Sequence, residues 1–594
     1  MGDDPVGGDG LRFPPETLRQ YALVADGERG ALIGPRGDVA FLCAPRWHDD
    51  AVFSNLLGGR GSYAVQPADP RMVWGGSYEP GTLIWRSRWV VGGSVVECRD
   101  ALAFPGDPER LVLLRRIEAV RGDAAVRVHL ACHGGFGTER MDLRPEGPDL
   151  WSGRTGALHL RWTGAPVSAA RDVADGSLEL ALDVPAGGSH ELVLEIAGRP
   201  LDEDPPDPAR TWDATARAWD SAVRPDVGSL APRDATHARV VLRGLTSRSG
   251  AMVAAATTSL PERAEQGRDY DYRFAWIRDQ CLTGQAAARA ADDPLLACAV
   301  DFVGARLRED GGRLTPAYTV DGEPVPDQRG LDLPGYPGAP EVRAGNRVRE
   351  QFQLDAFGEA LLLFAAADRR DVLDADGWRA AETAAAAILR RQAEADAGIW
   401  ELDPQRWAHS RLTCAAGLRA MSARRGDLAS WEQLAERLVA EVERDSRHPS
   451  GRWQRSPTDP GVDAALLLPA LRGAVRADDP AYVATWQAVR DELTEDGYVY
   501  RFRQSPGPLH ADEGAFLLCG FVLAMATHQQ GDPVEAVRWF ERSRAAVGPP
   551  GLFTEEFDVE QRQLRGNLPQ AFVHGAFLEA AHALTEDPDP RRTT

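Results

Sequence analysis

The chain has 594 residues, 43% of them apolar and 26% charged, and a formal net charge of −22. That length needs more than one small core, and the composition is that of a globular protein rather than a disordered or fibrous one. The negative charge argues against nucleic acid and anionic membrane as partners, and no run of about 18 apolar residues offers a membrane span.

The first residues, MGDDPVGGDGLRFPPE, are acidic and lack a basic start and an apolar core, so no export signal is read and a cytoplasmic location is expected. From there to about residue 200, short apolar or alternating runs lie between turn residues. The segments 94–104, 110–120, 126–134, 157–164, 178–184 and 190–198 read as strands. Closely spaced strands with no helical pattern between them predict an antiparallel β-sandwich over 1–204. The proline-rich stretch after residue 202 predicts a linker, 205–232, with a helix at 209–223 that carries Trp212 and Trp219 a heptad apart.

Beyond it, 233–594 is almost wholly helical in pattern. Twelve helices are predicted near 236–247, 279–293, 294–309, 350–367, 375–393, 410–424, 427–445, 462–474, 480–494, 512–528, 533–547 and 569–584. Six antiparallel pairs closed into a ring, an (α/α)6 barrel, fit that number. The pattern alone does not separate a ring from an α-solenoid, but no fixed-period repeat favours the solenoid. Long Gly- and Pro-rich loops at 310–349 and 496–511 read as functional.

Several chemistries are missing from the sequence. There is no HExxH, GxSxG or Walker motif, and all 67 basic residues are Arg, which excludes a Schiff-base or P-loop lysine. The seven cysteines never occur in CxxC spacing and read as buried, reduced thiols, with no metal site assigned.

What remains is carboxylates and aromatics. In RDYDYRFAWIRDQ (268–280), Tyr270, Tyr272, Phe274 and Trp276 alternate, Arg278 and Asp279 follow, and Asp279 is expected to cap the next helix. Aromatic planes and forked Arg–Asp donors and acceptors suit a sugar ring, and a buried ion-pair knot suits the stretch equally well. Glu401 follows Trp400 in a loop before a helix. An indole neighbour would desolvate it and favour a general acid, though an ordinary loop glutamate fits too. Glu555 and Glu556 lie in a loop between helices, where a solvated acidic turn is the plain alternative. Two loop carboxylates with an aromatic Arg–Asp rail are the parts of a glycosidase.

Five ordered segments resemble glycoside hydrolase family 15, the glucoamylase and trehalase family: 21–59, AATTSLPERAEQGRDYDYRFAWIRDQ (255–280), 342–361, GIWE (398–401), and EEFD with GNLPQAFVHGAF (555–577). The resemblance implies a β-sandwich, a helical linker and an (α/α)6 catalytic barrel. It also implies cofactor-free hydrolysis of α-glucosides with inversion. By motif position it makes Glu401 the general acid and Glu555 the general base. Tyr272, Trp276, Arg278 and Asp279 would hold the glucosyl unit, with Trp400 and His409 added to the substrate-binding set. The two carboxyl groups would stand roughly 6.5–9.5 Å apart.

There are departures from the family pattern. Asp269-Tyr270 replaces the usual Asn-Trp, Val573 stands where Ser is usual before His574, and the residues after Glu401 differ. The expected substrate is a small α-glucoside, trehalose before malto- or isomalto-oligosaccharides. The alternatives are a phosphorylase, or a sugar-binding or pathway protein on the same fold that does not hydrolyse. Family members form both monomers and larger assemblies, so a homo-oligomer is compatible with the resemblance.

Overall fold

The computed structural model describes residues 13–173, 176–263, 268–511 and 513–587. Residues 1–12, on which the reading of a missing export signal rests, lie outside them. The chain divides into two compact units. One runs to Ser221 and takes in Leu331–Pro337, and the other holds Ala222–Gly330 and the chain from Gly338 onward.

The first unit contains two eight-stranded antiparallel sheets. One joins, in spatial order, Ala22–Ala25, Gly30–Ile33, Asp38–Cys43, Ser62–Pro67, Ala124–Ala131, Leu178–Val184 and Ala170–Asp172, with Ala51–Phe53 beside the third. The other joins Met141–Pro145, Leu150–Thr155, Leu158–Thr163, Ser189–Ala197, Arg110–Arg121, Ser94–Leu102, Trp85–Val91 and Val73–Tyr78. Every strand read from the sequence has its counterpart here. Period-two alternation builds the core: Leu111, Leu113, Ile117 and Ala119 of one sheet meet Val126, Val128 and Leu130 of the other in one apolar cluster. Helix α1 (Pro208–Ala222) docks through both of its tryptophans. Trp219 stacks on Phe104 at 3.9 Å, and Trp212 donates its Nε1–H to Glu191 at 3.0 Å.

Among the described residues the second unit contains twelve further helices: α2 (Pro232–Leu245), α3 (Ile277–Arg289), α4 (Asp293–Asp310), α5 (Asp355–Arg369), α6 (Ala375–Arg391), α7 (Ala408–Ser422), α8 (Ala429–Asp445), α9 (Leu468–Leu471), α10 (Pro480–Glu492), α11 (Leu517–Gln529), α12 (Pro533–Arg544) and α13 (Ala571–Ala583). Helices α3, α5, α7, α9, α11 and α13 touch in that order, and α13 returns to α3, closing an inner ring. The even-numbered helices pack outside it, giving the expected (α/α)6 barrel.

Burial follows this placement. Inner α11 is buried through twelve successive residues, Leu517–His528, whereas outer α8 buries only the stripe Leu434, Ala435, Leu438 and Val442. Where α5 and α7 cross, backbone meets backbone: a Cβ on Gly417 would lie 2.4 Å from the Gly358 carbonyl oxygen.

Three expectations shift. The helix expected at 462–474 is a 3₁₀ turn, Ala464–Leu467, running into the single turn α9. The candidate at 512–528 starts on residue 512, outside the described residues, and its helix begins at Leu517. Asp279 is not a cap. Strand Ala275–Trp276 pairs with Ala317–Tyr318 and the helix starts at once at Ile277, so Asp279 falls in its first turn and Trp276 takes the cap position. The seven cysteines are free thiols and six are buried, as read, whereas Cys298 is half-buried. Among the described residues no helix is long and apolar enough to cross a membrane.

Candidate active site

One end of the helical unit holds a cavity of about 1040 Å³, lined by loops that precede the inner helices. Tyr270, Tyr272, Trp276, Arg278, Asp279, Trp400, Glu401 and Glu555 all line it. Of the predicted set only His409 is elsewhere. It is buried on α7 beside a void of about 10 Å³ behind Trp400, and burial pushes its pKa down to about 4, so it is neutral.

The stretch 268–280 answers both of its sequence readings. Tyr270 stacks on Tyr272 at 6.2 Å, and Tyr272 meets Trp276 edge-on at 5.4 Å. Phe274 instead turns into an apolar cluster with Ala254, Ala317 and Val348. Asp271 and Arg273 form a buried pair at 2.6 Å, and Asp271 also accepts from the Gly345 backbone N–H at 2.8 Å. The knot therefore fixes the loop from which the aromatic rail projects.

Glu401 has a left-handed backbone with φ +54°, a conformation that β-carbon sterics make uncommon outside glycine. Its Oε1 accepts from Trp276 Nε1 at 2.8 Å, Arg278 Nη2 at 3.2 Å and Gln353 Nε2 at 3.2 Å. The indole that meets Glu401 is thus Trp276. Neighbouring Trp400 donates to Asp463 instead, at 3.0 Å. Arg278 also donates to Gln353 at 2.6 Å and pairs with Asp355 at 3.5 Å. Burial works against its charge, but Asp355 and Glu401 outweigh burial and hold its pKa above the usual value. Burial raises Asp279 to about 7, against the pull of Arg278.

Glu555 is set up differently. The Tyr272 hydroxyl lies 3.2 Å from its Oε2 and 3.1 Å from Oε1 of Glu262. The two carboxyls thus meet at one phenol hydroxyl. Burial, then the charges of Glu262 and Glu556, push Glu555 well above the usual carboxylate range, with Arg501 pulling the other way. Burial and the Glu555 and Glu262 charges likewise push the Tyr272 phenol well up, so it stays a hydroxyl.

The sequence reading missed Glu262, Gln353 and Arg501. Glu262 ends the quoted TTSLPE, Gln353 sits inside the quoted 342–361 segment, and Arg501 lies in the long loop 496–511. Each was flagged by segment and given no role, because a lone Glu, Gln or Arg in a loop carries no spacing signal.

Comparison with known proteins agrees with this geometry. The model of Glycosyl hydrolases family 15 matches residues 242–582, and that of the trehalase-like N-terminal domain matches 14–204. The trehalase of Mycobacterium tuberculosis is 28% identical, over 96% of this chain and 90% of its own length. The trehalase of Mycolicibacterium smegmatis is 29% identical, over 96% of this chain and 92% of its own. The crystal structure of a bacterial glucoamylase complexed with acarbose shares the fold, with a TM-score of 0.70 at 13% identity over 98% of this chain and 97% of that one. The chain belongs to glycosyl hydrolase family 15 and is a glycoside hydrolase.

Proposed function

We propose that the chain hydrolyses a small α-glucoside with inversion, with trehalose as the leading substrate. The observation that carries this reading is a pair of carboxyls, Glu401 and Glu555, facing one cavity beside Tyr272, Trp276, Arg278 and Asp279. Glu401 has three donors gathered on a single oxygen, and Glu555 stands among other carboxyls. The full-length likeness to two trehalases supports the substrate class.

Glu401 acts as general acid. Three donors meet its Oε1, and its proton passes to the glycosidic oxygen. The same donors then stabilise the carboxylate that forms, one of them a charged guanidinium. Glu555 takes a proton from a water that attacks the anomeric carbon from the opposite face, and the bond to the leaving sugar breaks. The Tyr272 hydroxyl dipole lies beside that base, where it favours the oxocarbenium-like transition state. Arg278 and Asp279 orient sugar hydroxyls, and Tyr270 and Trp400 offer aromatic faces to the ring. Residues of the loops 310–349 and 402–409 line the same cavity and would select the leaving group. A small internal sugar suits a cytoplasmic location.

Proton NMR with trehalose, maltose and isomaltose in parallel tests this, with Glu555→Gln as control. From trehalose we expect equal α- and β-glucose at early times, because only the cleaved ring inverts, and no turnover in the variant. Turnover of another sugar alone would move the substrate assignment, and α-glucose as the sole early product would end the inverting reading. Sugar phosphate formed in phosphate buffer would make the reaction phosphorolysis.

A further inference from the structure

We infer that Glu262 is a positioning residue for this reaction: its carboxylate, which shares the Tyr272 hydroxyl with Glu555, sets how strongly Glu555 holds a proton and therefore how strong a base it is. This rests on Glu555 being the base, as proposed above.

This meeting is built by the fold. The loop bearing Glu262 is stitched to the chain that follows Glu555. Gly566 N donates to Pro261 O at 3.0 Å, Thr257 Oγ1 donates to Asn567 Oδ1 at 2.9 Å, and Leu568 N donates to Thr257 Oγ1 at 3.0 Å. Gly566, at φ +85°, makes a left-handed turn that a side chain would strain, and it packs against both glutamates, 3.6 Å from Glu555 Cβ and 3.7 Å from Glu262 Cγ at the place a Cβ would take. Glu262 is only 6% exposed yet lines the cavity, so its carboxyl belongs to the reaction chamber rather than to the surface.

Charge around it is unbalanced. Arg501 and Arg268 face Glu262, but so do Glu555, and Asp269 and the Tyr270 and Tyr272 phenols of the neighbouring segment. Behind them Glu556 and Glu513 compete for Arg501. A buried carboxylate pressed against others gains a proton readily, because uptake removes a repulsion that water does not screen. When Glu555 takes the proton of the attacking water, that relief is released in the transition state. The acidic limb of activity, below which Glu555 is already protonated, then lies higher than for an isolated glutamate.

The test is the pH profile of kcat/KM for Glu262→Gln and Glu262→Asp on the full chain, with melting curves alongside. A like charge close by moves a carboxyl by about 1–3 units, so the acidic limb of Glu262→Gln should fall by about 1–2 pH units. Its kcat should drop about three- to tenfold as the base weakens, with KM held. Glu262→Asp should lie between it and the parent. A limb that stays in place in Glu262→Gln overturns the inference, and so does a folded but inactive Glu262→Gln beside a fully parental Glu262→Asp. If Glu262→Gln does not fold, Glu262→Asp decides: a lowered limb supports the inference and an unmoved one overturns it. Turnover surviving Glu555→Gln would instead remove the base assignment on which this depends.

Discussion

The sandwich and the barrel both bury charge, but in opposite ratios. In the sandwich, carboxylates are met by arginines in pairs. Glu195 accepts from Arg110 at 2.8 Å and Arg161 at 2.5 Å, and Glu179 from Arg127 at 3.3 Å and Arg171 at 3.1 Å. At the barrel cavity the ratio reverses, and Glu262, Glu513, Glu555 and Glu556 share Arg501 and Arg268. Carboxylates fully matched by arginines hold a fold together at little net cost. Crowded carboxyls oppose folding and persist where their proton affinity is used. Electrostatic imbalance, more than buried charge itself, separates the working part of this molecule from its scaffold.

The largest effect expected on the working side comes from Glu401→Gln. The amide keeps the shape but gives no proton, so kcat on trehalose should fall by about 10²–10⁴-fold. With α-glucosyl fluoride, whose leaving group needs no protonation, most of that loss should vanish in steady-state assays. An equal loss on both substrates would mean that Glu401 is not the acid.

On the scaffold side the sharpest break is Arg115→Met. Arg115 and Asp100 are fully buried, joined at 2.7 Å, and Arg115 also donates to the carbonyls of Tyr63 at 2.9 Å and Gly37 at 2.6 Å. Removing it strands a buried carboxylate at a cost of about 3–5 kcal/mol. Calorimetry should show an early transition, with kcat per folded molecule unchanged. A loss of kcat without a loss of stability would contradict the division drawn here between scaffold and site.

How much of this was legible in the sequence follows from range. The strands 94–104 and 178–184 and the barrel segments other than 462–474 could be read because period and burial are local properties. The ring closure of α13 on α3 is not local, and nothing in either helix announces it. At the site, Tyr272, Trp276 and Arg278 stood out by density within thirteen residues. Glu262 did not, because its partner Glu555 is brought to it by long-range bonds, among them that of Thr257 to Asn567. His409 follows Glu401 closely in sequence and belongs to the same family-like segment, yet it lies buried on α7 against a small void that Trp400 also lines, because position along the chain does not say which way a helix faces.

The smallest effect, and the one that probes the cavity's own scaffold, is the pH dependence of stability through Asp396. This residue closes the loop that presents Glu401. Its backbone N–H and C=O pair with Gln405 at 2.9 and 3.0 Å, and its Oδ1 accepts from Ser410 Oγ at 2.9 Å and Gly398 N at 2.8 Å. Burial, then the Asp355 charge, raises Asp396 to about 8. An unfolded aspartate gives up its proton near pH 4, so between about pH 4 and 8 the folded chain carries the extra proton. Stability therefore declines as pH rises through that window. Asp279 and Glu359, each raised to about 7, add slope of the same sign. Asp396→Asn removes this contribution and mimics the neutral acid, so its melting temperature should match the parent near pH 4 and exceed it progressively toward pH 8. Parallel curves across that range would mean that Asp396 is ionised in the folded chain, and that the imbalance of charge stops at the glutamates around Arg501.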